Sequence, residues 1–149
     1  MLHRIILHLA RAPDHPDGSD RIGYELLAPL DGDGHLDPIG WQQVRALCHV
    51  RRFAPDEPER GGLLVHRPGG TGGATWLIDF GRGAAGDDES GHRLETHVFR
   101  KGECISIGNA RRRLRTFRIV DVQPVRERLA PSRRPTGEAP GRRRVRVPW

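Results

Sequence analysis

Ile5, Leu7 and Leu9 share one parity near the start of the chain, with Arg4, His8 and Ala10 on the other beside Ile6. That period-two alternation predicts a strand through LHRIILHLAR. PDHPDGSD, residues 13–20, follows as turn chemistry: prolines that fix φ, aspartates that bond nearby amides, and a glycine. Gly23–Leu30, GYELLAPL, is the second predicted strand. The period then changes. Asp31-Gly32 and Asp33-Gly34 make a turn, Asp37 is a good N-cap and Pro38 suits the first helical position. A short helix is expected from Pro38 to Cys48, where Trp41, Val44 and Cys48, with Leu47 adjacent, give one apolar stripe to lay against a sheet.

Beyond the helix the pattern returns to short strands punctuated by turn residues: Val50–Phe53, Leu63–Arg67, Thr75–Phe80, Arg93–Phe99, Cys104–Ile107 and Leu114–Val122. With the two strands before the helix, these predict a mainly β fold: a small antiparallel β-barrel or strongly curled sheet with one short helix. PGGTGGA (68–74) and GRGAAGDDESG (81–91) read as surface loops. From Arg126 periodicity disappears and prolines recur among arginines. The expected organisation is one domain over residues 1–125 and a disordered arginine-rich tail over 126–149.

Charge refines this picture by where it lies. The net charge of +6 is carried by residues 126–149, which hold eight arginines and two glutamates. The rest of the chain is formally neutral, so a pI near 10.8 is a property of the tail. Lys101 is the only lysine, and the chain is rich in alanine, glycine and proline, a pattern of high-GC coding in which arginine is partly the default cation. The body is nonetheless dipolar: residues 98–120 carry seven basic side chains and one acidic one, residues 1–40 three basic and seven acidic. Nothing approaches the roughly 20 apolar residues of a membrane helix, no signal peptide is apparent, and the cytoplasm is the expected compartment. Cys48 and Cys104 belong to no metal-ligand spacing and read as reduced, partly buried thiols.

The motifs for chemistry are few. DGDGHLD, Asp31–Asp37, invites calcium, but the EF-hand pattern fails where it would need an oxygen ligand at His35, glycine at Leu36 and glutamate at Gln42; turn plus helix cap accounts for it. PGGTGGAT lacks the lysine of a P-loop. No serine sits in a GxSxG elbow. On a strand, Glu95 and His97 would project from one face, with His66 from a neighbouring strand and His92 at opposite parity as further metal or acid/base candidates. Two ligands do not make a site, so no metal or cofactor is expected.

Arg111, Arg112, Arg113 and Arg115, with Arg100 and Lys101 expected alongside across a hairpin, form the candidate contact surface for an anionic partner, nucleic acid included. No aromatic platform for base stacking accompanies it. Phe117 alternates with arginines and is expected to face the core.

GYELLAPL, DGDGHLDPIGWQQVRALCHVRRFAPDEPE, LLVHRPGG and FRKGECISIGNARRRLRTFRIVDVQPV, in that order, resemble a family of small uncharacterised bacterial proteins. The resemblance covers Leu2 to Val125 and implies a self-contained domain with no assigned activity. The leading functional expectation is therefore a noncatalytic binding or accessory module. Its rivals are a small metal- or acid/base-dependent enzyme using Glu95, His97 and His66 or His92, and a protein adaptor whose tail orders on binding.

Overall fold

The computed structural model describes residues 1–67, 76–81, 89–92, 94–108 and 113–125, without the side chains of Ser90 and His92. Eight strands follow in chain order: β1 Leu2–Leu9, β2 Ser19–Pro29, β3 His49–Ala54, β4 Glu57–His66, β5 Trp76–Asp79, β6 Glu89–His92, β7 Cys104–Gly108 and β8 Leu114–Pro124. One helix, α1 Pro38–Val44, separates β2 from β3. Each strand pairs antiparallel with the next, and β1 also pairs with β8. The sheet thus curls until it closes, which leaves neither terminal strand as an open edge. Its thinnest seam is β5 against β6, joined through Leu77 with Ser90 and Ile78 with Glu89.

Alternation decides what fills the interior. Ile5, Leu7 and Leu9 of β1, Tyr24, Leu26 and Ala28 of β2, Val50, Leu64, Ile78, Ile105, Ile107, Phe117 and Ile119 are all buried. On the outer face, Glu25 lies between Arg4 at 3.1 Å and Arg51 at 2.7 Å, and Arg51 reaches Glu59 at 2.7 Å. These four charges cross β1 to β4 in alternating sign, the favourable order for cross-strand neighbours.

The helix closes one end. Asp37 Oδ1 accepts from the amides of Ile39 and Gly40, both at 3.1 Å, and Pro38 occupies the first turn. Trp41 is buried and its indole N–H donates to the Leu64 carbonyl at 2.8 Å. Its ring meets that of Trp76 edge-on at 6.2 Å, and His66 packs on Trp76 at 4.6 Å. The helix stops at Val44 and a 3-10 turn carries the chain through Arg45–Leu47. Cys48 is buried as expected, whereas Leu47 is exposed.

Several features differ from the sequence reading: the helix ends at Val44 and not at Cys48, and residues 89–91, expected in a surface loop, belong to β6, with Glu89 buried. β4 begins at Glu57, well before Leu63, because a turn at Pro55-Asp56 folds EPERGG back onto β3; its backbone pairing needs no apolar side chains. Cys104 is exposed. The expected strand Arg93–Phe99 is not formed over its described residues, 94–99: β6 ends at His92 and Leu94–Thr96 is a 3-10 turn. The reason is parity. Leu94 and Phe99 are both buried, and a regular strand would point them to opposite faces. The turn instead folds Leu94 against Gly91, where an added Cβ would lie 2.1 Å from its Cδ1. The tail from residue 126 and most of the two glycine-rich loops lie outside the described residues.

Candidate anion site at the barrel end away from the helix

The inner stripes of β3 and β8 change character along their length. On β3, Val50 is followed inward by Arg52; on β8, Ile119 and Phe117 share their parity with Arg115 and, just before the strand, Arg113. Running toward the end away from α1, the interior therefore turns from apolar to guanidinium. These arginines meet Tyr24 and Glu89 around a cavity of about 60 Å³, lined also by Ile22, Phe53 and Phe117.

Glu89, the first residue of β6, is 4% exposed. The Tyr24 hydroxyl donates to its Oε1 at 2.5 Å, and Arg52 Nε lies 3.5 Å from its Oε2. Arg52 also reaches Glu57 at 2.5 Å. Tyr24 is itself held edge-on against Phe117 at 5.0 Å. Arg115 Nη2 stands 3.0 Å from both carboxylate oxygens of Asp14, which lies in the β1–β2 connection. Arg60, opposite Arg52 on β4, lays its guanidinium over the Phe80 ring at 4.2 Å.

Burial sets the electrostatics. Desolvation pushes the Glu89 carboxyl above the usual glutamate value, only partly offset by the Tyr24 hydrogen bond and the charge of Arg52. Desolvation also raises the Tyr24 phenol, reinforced by the neighbouring Glu89, so Tyr24 remains a donor. Desolvation, which raises the Asp14 carboxyl, is outweighed by hydrogen bonding to His15 and the backbone and by the charge of Arg115, which together hold it below the ordinary value. Chemically, this end of the barrel offers several guanidiniums at the rim and one buried, hydrogen-bonded carboxyl behind them.

The other basic candidates are placed elsewhere. β7 and β8 pair with Cys104 opposite Arg118 and Gly108 opposite Leu114. Arg100 and Lys101, joined to the hairpin by the Gly102 amide on the Ile119 carbonyl at 2.8 Å, therefore lie toward the α1 end. Arg113 and Arg115 lie at the opposite end, so the two groups do not sit side by side. Arg100 is 3.8 Å from Glu103. Arg111 and Arg112 fall outside the described residues.

Of the metal candidates, His66 packs against the rings of Trp76 and Trp41, Glu95 lies in the 3-10 turn and His97 follows it; the side chain of His92 is not among those described. Among the described residues, the trio with ligand atoms close enough for one ion is Asp31, Asp33 and His35. There Asp31 Oδ1 accepts from the amides of Asp33 at 2.9 Å and His35 at 3.0 Å, the turn chemistry read from the sequence. Sequence reasoning missed Tyr24, Arg52 and Glu89. The signal for the arginines was available: a core-facing Phe117 puts Arg115 and Arg113 on the same face.

The chain matches no protein-family model, no curated protein and no solved structure. Among the described residues no helix is long and apolar enough to cross a membrane.

Proposed function

We propose that the chain is a noncatalytic binding module that receives an anionic partner, nucleic acid being the favoured chemical class, at the end of the barrel opposite α1. The observation that carries this reading is the convergence of Arg52, Arg113 and Arg115 on one small cavity from β3 and β8. Guanidiniums held by strand backbones are preorganised for oxyanions, since the fork geometry matches phosphate and carboxylate oxygens.

The reading is tested with the full chain on heparin and on a short oligonucleotide across a salt series. Binding should weaken steeply with salt, and Arg113→Gln with Arg115→Gln should lower both affinity and salt slope. A companion variant with Arg142, Arg143, Arg144 and Arg146 changed to Gln separates the tail from the barrel. Affinity that ignores salt, or that falls only when the tail arginines are neutralised, removes the barrel end as the site.

A further inference from the structure

We infer that the group received at this end is a single phosphate oxyanion carrying a proton, which displaces Asp14 and Glu57 from Arg115 and Arg52 and donates its hydroxyl to Glu89. This deepens the anion-binding reading and rests on it.

Size is the first constraint. A cavity of about 60 Å³ is roughly four times the space a water needs and far below the roughly 300 Å³ at which pockets enclose whole small molecules. Only a compact group enters, with the remainder of any larger ligand left outside. The arginines that line that space then favour an oxyanion.

The second constraint is what the arginines already hold. Asp14, on Arg115, has a side chain 62% exposed, and Glu57, on Arg52, one 45% exposed. Exposed ion pairs are exchanged at little cost, and Asp14 keeps a second partner in His15 Nδ1 at 3.2 Å. Neither carboxylate lines the cavity, and each is a solvent-exposed partner that an incoming anion can replace on its arginine. Glu89 is different, being buried and fixed by Tyr24. Above the pH at which Glu89 releases its own proton, its carboxylate repels a fully ionised guest and accepts one that brings a proton. Inorganic phosphate near neutrality always brings one; a terminal phosphate monoester, with its second ionisation near pH 6, does so in part; sulfate does not.

Titration of the full chain at constant ionic strength tests this, with inorganic phosphate, sulfate, and one oligonucleotide with and without a 5′-phosphate as probes. The readouts are heat and the NMR signals of Tyr24, the single tyrosine. Phosphate should bind saturably at one equivalent and shift Tyr24, with sulfate at least ~10-fold weaker. Arg115→Gln should weaken phosphate by at least ~10-fold, whereas Asp14→Asn, at an exposed position, should tighten it several-fold. A 5′-phosphate that tightens the oligonucleotide identifies a strand end as the source, and no difference identifies free phosphate. Equal binding of sulfate, or weakening by Asp14→Asn, overturns the inference. If the oligonucleotide binds with its salt dependence while phosphate leaves Tyr24 unmoved, this inference fails and the binding-module reading stands; if neither binds, both fail.

Discussion

Tyr24 and Glu89 stand 65 positions apart in the chain and meet inside the barrel, hydroxyl to carboxylate, at 2.5 Å. Tyr24 comes from β2 and Glu89 from β6, strands that share no ladder, so the bond spans the interior from wall to wall. It is the polar exception in an otherwise apolar core, since Glu89 is the buried charged residue among those described.

Removing the donor should therefore cost more than an average hydrogen bond. Tyr24→Phe keeps the ring against Phe117 and leaves the buried carboxyl short of a partner, a loss of about 1–3 kcal/mol. The midpoint of urea unfolding reads it. A change within about 0.5 kcal/mol, the scatter of ordinary surface substitutions, would show that Arg52 alone satisfies Glu89.

The raised Glu89 carboxyl makes stability depend on pH in a definite direction. The folded state holds its proton at pH values where the unfolded chain has released it, so the contribution is intact below the ordinary glutamate value of 4.5 and is lost as pH rises through the raised one. Glu89→Gln cannot titrate. The thermal midpoint of the wild type, taken relative to Glu89→Gln, should fall from about pH 4 toward pH 7; a rise over that range would mean that Arg52 dominates and the carboxyl is depressed.

Gly23 is the position where β1, β2 and β3 crowd. A Cβ there would sit 1.9 Å from the Leu7 carbonyl oxygen and 3.1 Å from Phe53 Cζ. Gly23→Ala should cost about 1–3 kcal/mol or more as the backbone shifts to relieve the overlap. Hydrogen exchange should accelerate first at the β1–β2 pairs near His8, and unaltered exchange there with full stability would contradict the close approach.

The two thiols should separate cleanly. Cys104 is exposed, whereas Cys48 is buried beneath α1 and its thiol is pushed up to about 11 by desolvation. With an aromatic disulfide reagent at about pH 8, one thiol should react promptly and the second more than about 100-fold more slowly, in keeping with its scarcer thiolate. Mapping the fast adduct to Cys48 would refute the burial.

Alternation made much of the fold legible. Ile5, Leu7 and Leu9 marked β1, Asp37-Pro38 marked the helix start and Trp41 its buried face, because side-chain direction follows backbone period in any element that lies on a core, whereas Cys48 is buried beyond the helix's end at Val44. The same logic failed where pairing does not depend on apolar side chains, as in the first half of β4. It failed again where one segment buries residues of both parities, as Leu94 and Phe99 do. Strand closure made the candidate site illegible. Tyr24, Arg52 and Glu89 are unremarkable in their own segments, and Arg113 with Arg115 read as part of a surface run.

The sequence by itself determined the mainly β class, the position of the helix and its cap, and the confinement of net positive charge to residues 126–149, since each depends on local period, local turn chemistry or a count. Tertiary structure alone decided that β1 meets β8, that Arg100 and Lys101 lie at the opposite end of the barrel from Arg113 and Arg115, and that a tyrosine and a glutamate share a hydrogen bond across the interior. Register between distant strands is set by how all their inner faces pack at once, and no local window of the chain contains that information.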